Sequence, residues 1–252
     1  MTQMTQMNQM TRPLFTLSPR TYSRGFGALA LIGATFLTTL VPSNASAQQA
    51  APLTVYVARH GQTDWNREGR IQGATDNPLN ATGREQAAAL GAALANVKID
   101  AVYVSSHQRA RQTAAAFDGR APIVAMDELR ERHYGKFEGG NEKDVTLVAD
   151  WNNRRLTWQD DMEGGETLEN QSKRAEAALR TIRERHKDGG AVLIVAHGGI
   201  NPLMVSVLTD IPPLEGAKVI AQGNDEVYRI EIPRSGASMI WKLIPRNKLN
   251  EL

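Results

Sequence analysis

Two apolar runs that each end in histidine and glycine constrain the fold of this chain more than any other feature. The first run covers residues 53–59 and ends in Arg59, with His60 next, and the second covers residues 191–196, with His197 next. Continuous β-branched and aliphatic runs of this length are typical of buried parallel strands. Ligands bind at the carboxyl ends of such strands, so both histidines are expected in one pocket.

Other strand and helix patterns alternate along the chain. A polar loop is predicted over 64–80. The first predicted helix begins at Thr82 with a Thr82–Glu85 capping box, and its buried face is Ala87, Leu90, Ala93 and Leu94. The remaining elements are predicted in this order: strand 101–104, a helix from Ser106 to Phe117, strand 123–125, a helix near 145–151, a helix from about 164–167 to 187, a helix from Asn201, and strands 226–232 and 238–243. This order predicts an α/β fold, a three-layer sandwich whose mostly parallel central sheet is flanked by helices.

The first 47 residues have the pattern of a secretory signal peptide. Three arginines precede an uncharged apolar run at 25–41, and Ala45-Ser46-Ala47 follows it. We predict cleavage after Ala47, a mature domain at 48–252, and a periplasmic or secreted location. The alternative is an uncleaved membrane anchor, but the run is shorter than the roughly 20 residues that a spanning helix needs.

Charge and cysteine content exclude several classes of function. The chain has 29 basic and 27 acidic residues; without the three arginines of the leader, 26 basic residues remain, for a net charge of −1. That balance gives no support for a nucleic-acid partner, which would need a basic patch. The absence of cysteine excludes a cysteine nucleophile, a thiolate zinc site and disulfides.

His60 and His197 could each act as a nucleophile or as a metal ligand, because neutral imidazole serves both roles near pH 7. A metal site would want further carboxylates or histidines nearby. Asp64 is the one acid close in sequence, and Arg59 would repel a divalent cation. An anion is therefore the better interpretation of the pocket.

Arg109 is the second candidate anion ligand. If Ser106 is the N-cap, Arg109 lies in the first turn of its helix, where a cation opposes the helix dipole. An anion between the arginine and the free amides would explain the placement. The alternative is a salt bridge to Asp100 or Asp127.

A carboxylate that can act as acid and base is expected near such a pocket. Glu131 follows a predicted strand within a polar run and is the preferred candidate, with Glu128 and Glu166 as competitors. A leaving alcohol would take its proton from this group.

Five motifs, in order, resemble the histidine phosphatase superfamily, in the branch that contains phosphoglycerate mutase. The similarity runs from about Val55 to Leu208. Its segments are Arg59-His60-Gly61 with Thr63 and Asn66, residues 105–113 around Arg109, residues 129–139 around Glu131, residues 165–168, and residues 196–199 around His197.

The resemblance implies a phosphoglycerate mutase-like fold and a mechanism without metal or cofactor. It implies that His60 is the nucleophile that forms a phosphohistidine, and that Glu131 protonates the leaving alkoxide and then activates water. It implies that Arg59, Arg109 and His197 hold the phosphoryl oxygens. Weaker expectations for substrate contact are Asn66, Gln72 and Gly198.

The family contains both phosphatases and mutases. The segment 136–165 is short for a mutase, although Arg154-Arg155 resembles the paired arginines of mutases or forms a solvated face. We predict an exported phosphomonoesterase with a small-molecule phosphomonoester as its partner. A phosphoglycerate mutase and an inactive anion- or partner-binding module are the alternatives, and the sequence leaves the substrate and the oligomeric state open. We expect residues 136–165 to form a lid on the leaving-group side of the pocket, and Trp65, Trp151 and Trp158 to pack this lid rather than to stack on substrate.

Overall fold

The computed structural model describes residues 51–243, so the predicted leader at 1–47 and its cleavage after Ala47 lie outside the described residues. The strands are β1 (Leu53–Arg59), β2 (Ala101–Ser105), β3 (Ile123–Met126), β4 (Gly190–Ala196), β5 (Val227–Ile232) and β6 (Met239–Leu243). The helices are α1 (Asp64–Glu68), α2 (Ala81–Ala93), α3 (Gln108–Ala114), α4 (Val145–Arg154), α5 (Leu168–Arg185), α6 (Ile200–Leu208) and α7 (Pro213–Val219).

The six strands form one sheet in the order β3-β2-β4-β1-β5-β6. The first four of these are parallel to one another, while β5 runs antiparallel to β1, and β6 antiparallel to β5. The predicted α/β fold, with a mostly parallel central sheet and a terminal hairpin, is confirmed.

Helices cover both faces of the sheet and make the outer two layers. On one face, Val57 and Ile194 pack with apolar residues of α5 and α6. On the other, Ala58 and Val195 pack with residues of α2 and α3. Alternate residues of β1 and β4 are thus buried on opposite faces, as expected for strands enclosed between helices. Burial of each of these aliphatic side chains stabilises the folded state by about 1.5–3 kcal/mol, and this packing holds the ends of the strands in place.

The register of β1 and β4 places the two predicted histidines side by side. Arg59 pairs with Ala196, the last residue of β4, so His60 and His197 are the next residues on adjacent parallel strands. The backbone amide of His60 extends this pairing by donating to the Ala196 carbonyl at 2.9 Å.

The segment after β1 differs from the predicted loop because it begins with the short helix α1. Thr63 caps α1: its hydroxyl accepts from the Asn66 amide at 3.1 Å, and the Asn66 side chain accepts from the Thr63 amide at 3.1 Å. The sequence prediction missed this capping box because its third position is asparagine instead of glutamate or glutamine.

The boundaries of α2 and α3 also differ from prediction. The N-cap of α2 is Asn80, whose side chain accepts from the Gly83 amide, so Thr82 lies inside the helix and Ala93 is exposed. The N-cap of α3 is His107 rather than Ser106, and a 3-10 turn at Ala115–Phe117 follows α3.

Helix α7 was not predicted at all. It begins at Pro213, directly after Pro212, and proline is tolerated there because the first turn of a helix needs no amide donor. In residues 51–243, no helix combines the length and the apolarity needed to cross a membrane.

Candidate active site

His60 is buried at the carboxyl end of β1, with 3% of its surface exposed. Its Nδ1 lies 2.8 Å from the Gly61 carbonyl oxygen. A carbonyl can only accept, so the ring proton resides on Nδ1 and the lone pair is on Nε2. The fold therefore leaves His60 Nε2 with the lone pair that a nucleophile would need.

The surroundings of His60 keep its ring neutral. Burial, followed by the positive charges of Arg109 and Arg59, lowers the pKa of His60 well below its ordinary value of 6.5. A neutral imidazole at physiological pH is the form that attacks an electrophile.

His197 is fully buried beside His60, with ring centroids 5.1 Å apart. Its Nδ1 accepts a hydrogen bond from Arg109 Nε at 3.2 Å, so its proton resides on Nε2, which faces Ser105 Oγ at 2.8 Å. Burial, then the charge of Arg109, lowers the pKa of His197 well below 6.5. His197 is therefore neutral, and its two hydrogen bonds connect the ends of β2 and β4 to Arg109.

Arg109 is fully buried in the first turn of α3, as predicted. Its Nη1 donates to the Thr75 carbonyl at 2.7 Å and its Nη2 to the Gly73 carbonyl at 2.8 Å. Each terminal nitrogen carries a second hydrogen, which these bonds leave for an anion.

Asp76 is the carboxylate that approaches Arg109, rather than Asp100 or Asp127. Asp76 Oδ1 lies 3.8 Å from Arg109 Nη1, and both Asp76 oxygens accept from the Gln108 amide, at 2.7 and 3.0 Å. An amide at the start of α3 that was expected to face an anion is thus bound by a carboxylate of the chain itself.

Arg59 offers an unused donor near the two histidines. Its Nη1 donates to the Gln222 carbonyl at 3.0 Å, while Nε is buried without a hydrogen-bond partner among the described residues. A β-carbon on Gly198 would come within 3.1 Å of Arg59 Cζ, so the guanidinium lies directly against the turn after His197. An unsatisfied buried N–H of a cation favours a bound anion here.

Glu131 lies against the same turn with 9% of its surface exposed. Its Oε2 accepts from the Gly199 amide at 2.8 Å, and Oε1 accepts from its neighbour's amide, Arg132 N, at 2.9 Å and from Gln171 Nε2 at 3.1 Å. A β-carbon on residue 199 would lie 2.5 Å from Glu131 Oε1, so glycine is required for this approach.

The three weaker site predictions have different surroundings. The side-chain oxygen of Asn66 accepts from the Thr63 amide and completes the capping box of α1. Gln72 is buried, and its Oε1 has no hydrogen-bond partner among residues 51–243. It precedes Gly73, which binds Arg109. Gly198 borders Arg59. Contact of these residues with a substrate stays a prediction.

Glu138 organises the loop that holds Arg109. Its Oε1 accepts from the amides of Ala74 at 2.7 Å and Tyr134 at 3.0 Å, and its Oε2 accepts from the amide and hydroxyl of Thr75 at 3.1 and 2.8 Å. The carboxylate therefore fixes the carbonyls that bind the arginine.

Sequence reasoning assigned no role to several residues that the fold brings to the site. His107 packs edge-on against His197 with ring centroids 5.0 Å apart. The Tyr134 hydroxyl would overlap a β-carbon on Gly199. His107 and Tyr134 lie within the matched motifs, which was a signal for them. Gln222 lies far along the chain and had none.

The tryptophans of residues 136–165 have different packing partners, because Trp158 packs against the main core. Trp151 contacts Tyr134 and Phe137 edge-on, at 4.7 and 5.4 Å between ring centroids. Arg154 makes a bidentate ion pair with Asp160 and also binds Glu163. Arg154 is thus held within the lid by acids of the same segment.

Comparison with known families decides what this arrangement is. The family model for the histidine phosphatase superfamily (branch 1) matches residues 55–242, a range that includes Arg59, His60, Arg109, Glu131 and His197. The chain belongs to branch 1 of the histidine phosphatase superfamily.

Relatives of this histidine phosphatase chain include both phosphatases and mutases by name. It is 34% identical over 170 residues to an uncharacterised phosphatase, PhoE, of Bacillus subtilis, covering 66% of this chain and 83% of that one. It is 31% identical over 212 residues to a 2,3-bisphosphoglycerate-dependent phosphoglycerate mutase of Cytophaga hutchinsonii, covering 79% and 97%. The solved structure of Bacillus stearothermophilus YhfR matches with a TM-score of 0.65 and 32% identity, covering 74% and 94%.

Proposed function

We propose that this member of the superfamily is an exported phosphomonoesterase that works through a phosphohistidine on His60. The observation that carries the proposal is the meeting of three groups around the turn that follows His197: a neutral His60, the Glu131 carboxylate, and Arg59 Nε, which has no hydrogen-bond partner within residues 51–243. A nucleophile, an anion donor and an acid–base group are the parts that phosphoryl transfer requires.

In the first step, His60 Nε2 attacks the phosphorus atom of the ester. The new N–P bond forms as the P–O bond to the leaving group breaks, and the alkoxide takes a proton from Glu131. Arg59, Arg109 and His197 surround the phosphoryl group, and the arginines stabilise its charge in the transition state.

In the second step, Glu131 has become a carboxylate and acts as a base. It accepts a proton from a water molecule that attacks the phosphorus, and the N–P bond breaks to regenerate neutral His60 and release inorganic phosphate. The use of one carboxylate as acid and then as base follows from microscopic reversibility.

Hydrolysis is proposed in preference to mutase chemistry because of the lid. Arg154, one of the two arginines that resembled a mutase pair, is bound to Asp160 and Glu163. Arg154 therefore binds acidic residues of the lid instead of a second charged group of a substrate.

The test compares products. Wild-type protein should release inorganic phosphate from phosphomonoesters faster than it interconverts 2- and 3-phosphoglycerate, and His60→Asn should lose roughly 10⁴-fold or more of that rate. Faster interconversion than release would identify a mutase. Turnover by His60→Asn at the wild-type rate would exclude the mechanism, and absence of turnover in both proteins would favour the binding module.

Export and partners complete the proposal. The basic, apolar and Ala-Ser-Ala segments of residues 1–47 support secretion or a periplasmic location. N-terminal sequencing of protein recovered from the periplasm or medium should find Gln48 first; recovery only from the cytoplasm with residues 1–47 intact would contradict export.

The proposed partner is a small phosphomonoester, with no nucleic acid and no membrane after removal of the leader.

A further inference from the structure

Gln171 is a polar side chain at a position of α5 where the pattern calls for an apolar one. It is 1% exposed, and it lies on the helix face that also carries Leu168, Ala175, Ala178 and Ile182, all of which are buried. Burying an amide group costs free energy unless it is hydrogen-bonded. Its presence in this face therefore requires a partner, and the partner is Glu131.

The hydrogen bond between the two side chains has a defined direction. Gln171 Nε2 lies 3.1 Å from Glu131 Oε1. Oε1 is an acceptor in the ionised carboxylate and also when the proton lies on Oε2, so the glutamine presents its NH₂ group. The donor comes from α5, an element that contributes no other residue to the proposed chemistry.

The donors around Glu131 are distributed unevenly between its two oxygens. Oε1 accepts from Arg132 N and Gln171 Nε2, which fills both of its lone pairs. Within the described part of the chain, Oε2 accepts one hydrogen bond, from the Gly199 amide. A free lone pair is therefore left on Oε2, the oxygen that accepts from the Gly199 amide in the turn that follows His197.

We propose that Gln171 is a positioning residue for Glu131: by filling Oε1, it directs the transferable proton to Oε2. This inference rests on the proposed function, because it assumes that Glu131 is the acid and base. Without the amide, both oxygens could carry the proton, and a fraction of the protonated enzyme would hold it on the wrong one.

The inference is tested by how the rate depends on the leaving group. An alkoxide must be protonated as it departs, whereas 4-nitrophenolate is stable without a proton, so only alkyl esters should depend strongly on the acid. The parameter to measure is kcat/KM, because it reports the steps up to departure of the leaving group and not the later hydrolysis of the phosphoenzyme.

Gln171→Met keeps the length and the volume of the side chain and removes the donor. For glycerol 2-phosphate, kcat/KM should fall about tenfold, while for 4-nitrophenyl phosphate it should stay within about twofold. Ser172→Ala is the matched control, since Ser172 is the next buried residue of α5 and its hydroxyl has no partner among residues 51–243. The control should leave both values unchanged.

A second variant covers the case in which Gln171→Met does not fold. Gln171→Asn keeps an amide but withdraws it by about 1.5 Å, one carbon–carbon bond, and should show the same selective loss. An equal fall for both esters, or no change for either, would overturn the inference, because a purely structural residue would affect both alike.

Glu131→Gln separates failure of the inference from failure of the proposed function. It should lose activity selectively for glycerol 2-phosphate, and more strongly than Gln171→Met. If Glu131→Gln is selective and the Gln171 variants are not, the positioning role alone is wrong. If Glu131→Gln shows no selectivity, its assignment as the acid fails, and the positioning role fails with it.

Discussion

His107 lies between solvent and the buried centre of the site. It is the N-cap of α3, is 9% exposed, and packs edge-on against His197. Burial, followed by the positive charge of Arg109, lowers the pKa of His107 from 6.5 to about 4. The ring is therefore neutral in the folded protein at a pH where the same ring is protonated in the unfolded chain.

This difference predicts a pH-dependent contribution to stability. As the pH falls from 6.5 to about 4, the unfolded chain gains a proton at His107 and the folded protein does not, so folding weakens. The free energy of unfolding of the wild type should fall relative to that of His107→Leu over this interval, by on the order of 1 kcal/mol after solvent screening at the ring edge. Urea titrations at several pH values measure it. A constant difference between the two proteins would contradict the assignment.

The sequence predicted which residues lie together where a pattern repeats along the chain, but it did not predict partners that lie far away in sequence. His60 and His197 were placed together because both end apolar strands. The partner of Arg109 could not be predicted: Asp76 lies in a loop without periodicity, and tertiary contacts alone bring it to α3. Gln171 and Gln222 each occupy sequence surroundings that give no signal for a polar role.

The loop between α1 and α2 owes its conformation to Glu138, in the segment before α4. One carboxylate accepts the Ala74, Thr75 and Tyr134 amides, and the same loop turns the carbonyls of Gly73 and Thr75 toward Arg109. The position of Arg109 thus depends on a carboxylate that acts through this loop.

Replacing Glu138 should displace the Arg109 side chain from its position in the site. In Glu138→Ala, three amides lose their acceptor, so stability should fall by about 2–3 kcal/mol and kcat/KM for 4-nitrophenyl phosphate should fall about 100-fold as Arg109 is misplaced. Thermal unfolding measures the loss of stability, and steady-state kinetics measure the loss of kcat/KM. Glu176→Ala, which removes an exposed carboxylate from α5, is the control. Unchanged kinetics in Glu138→Ala would show that the loop holds Arg109 without the glutamate.

Element boundaries were predictable where local signals agreed with tertiary contacts. The start of α2 was misplaced because Thr82 and Glu85 satisfy the capping-box pattern, whereas Asn80 is fixed by bonds to the Gln62 backbone and side chain. Tertiary contacts before the helix decide which residue caps it. Helix α7 was not predicted, and its N-cap, Pro212, has no side-chain group that could signal a helix start.

At the scale of the whole molecule, the order of the sheet assembles the site. Strands β1, β4 and β2 lie side by side, so His60, His197 and Ser105 meet at one edge although they are far apart in sequence. The antiparallel end of the sheet contributes too: Asn224, just before β5, donates to the His60 carbonyl at 2.7 Å. Strand alternation predicted the fold, but pairing order depends on packing across the whole domain and was not predicted.

Trapping the phosphoenzyme tests the central claim most directly. Wild-type protein quenched in base during turnover of 4-nitrophenyl phosphate should carry a phosphoryl group on the peptide that contains His60, stable in base and lost in acid. His60→Asn, which removes the nucleophile, should carry none. Phosphoryl transfer to another residue, or sustained turnover by a protein that never carries the group, would contradict the account.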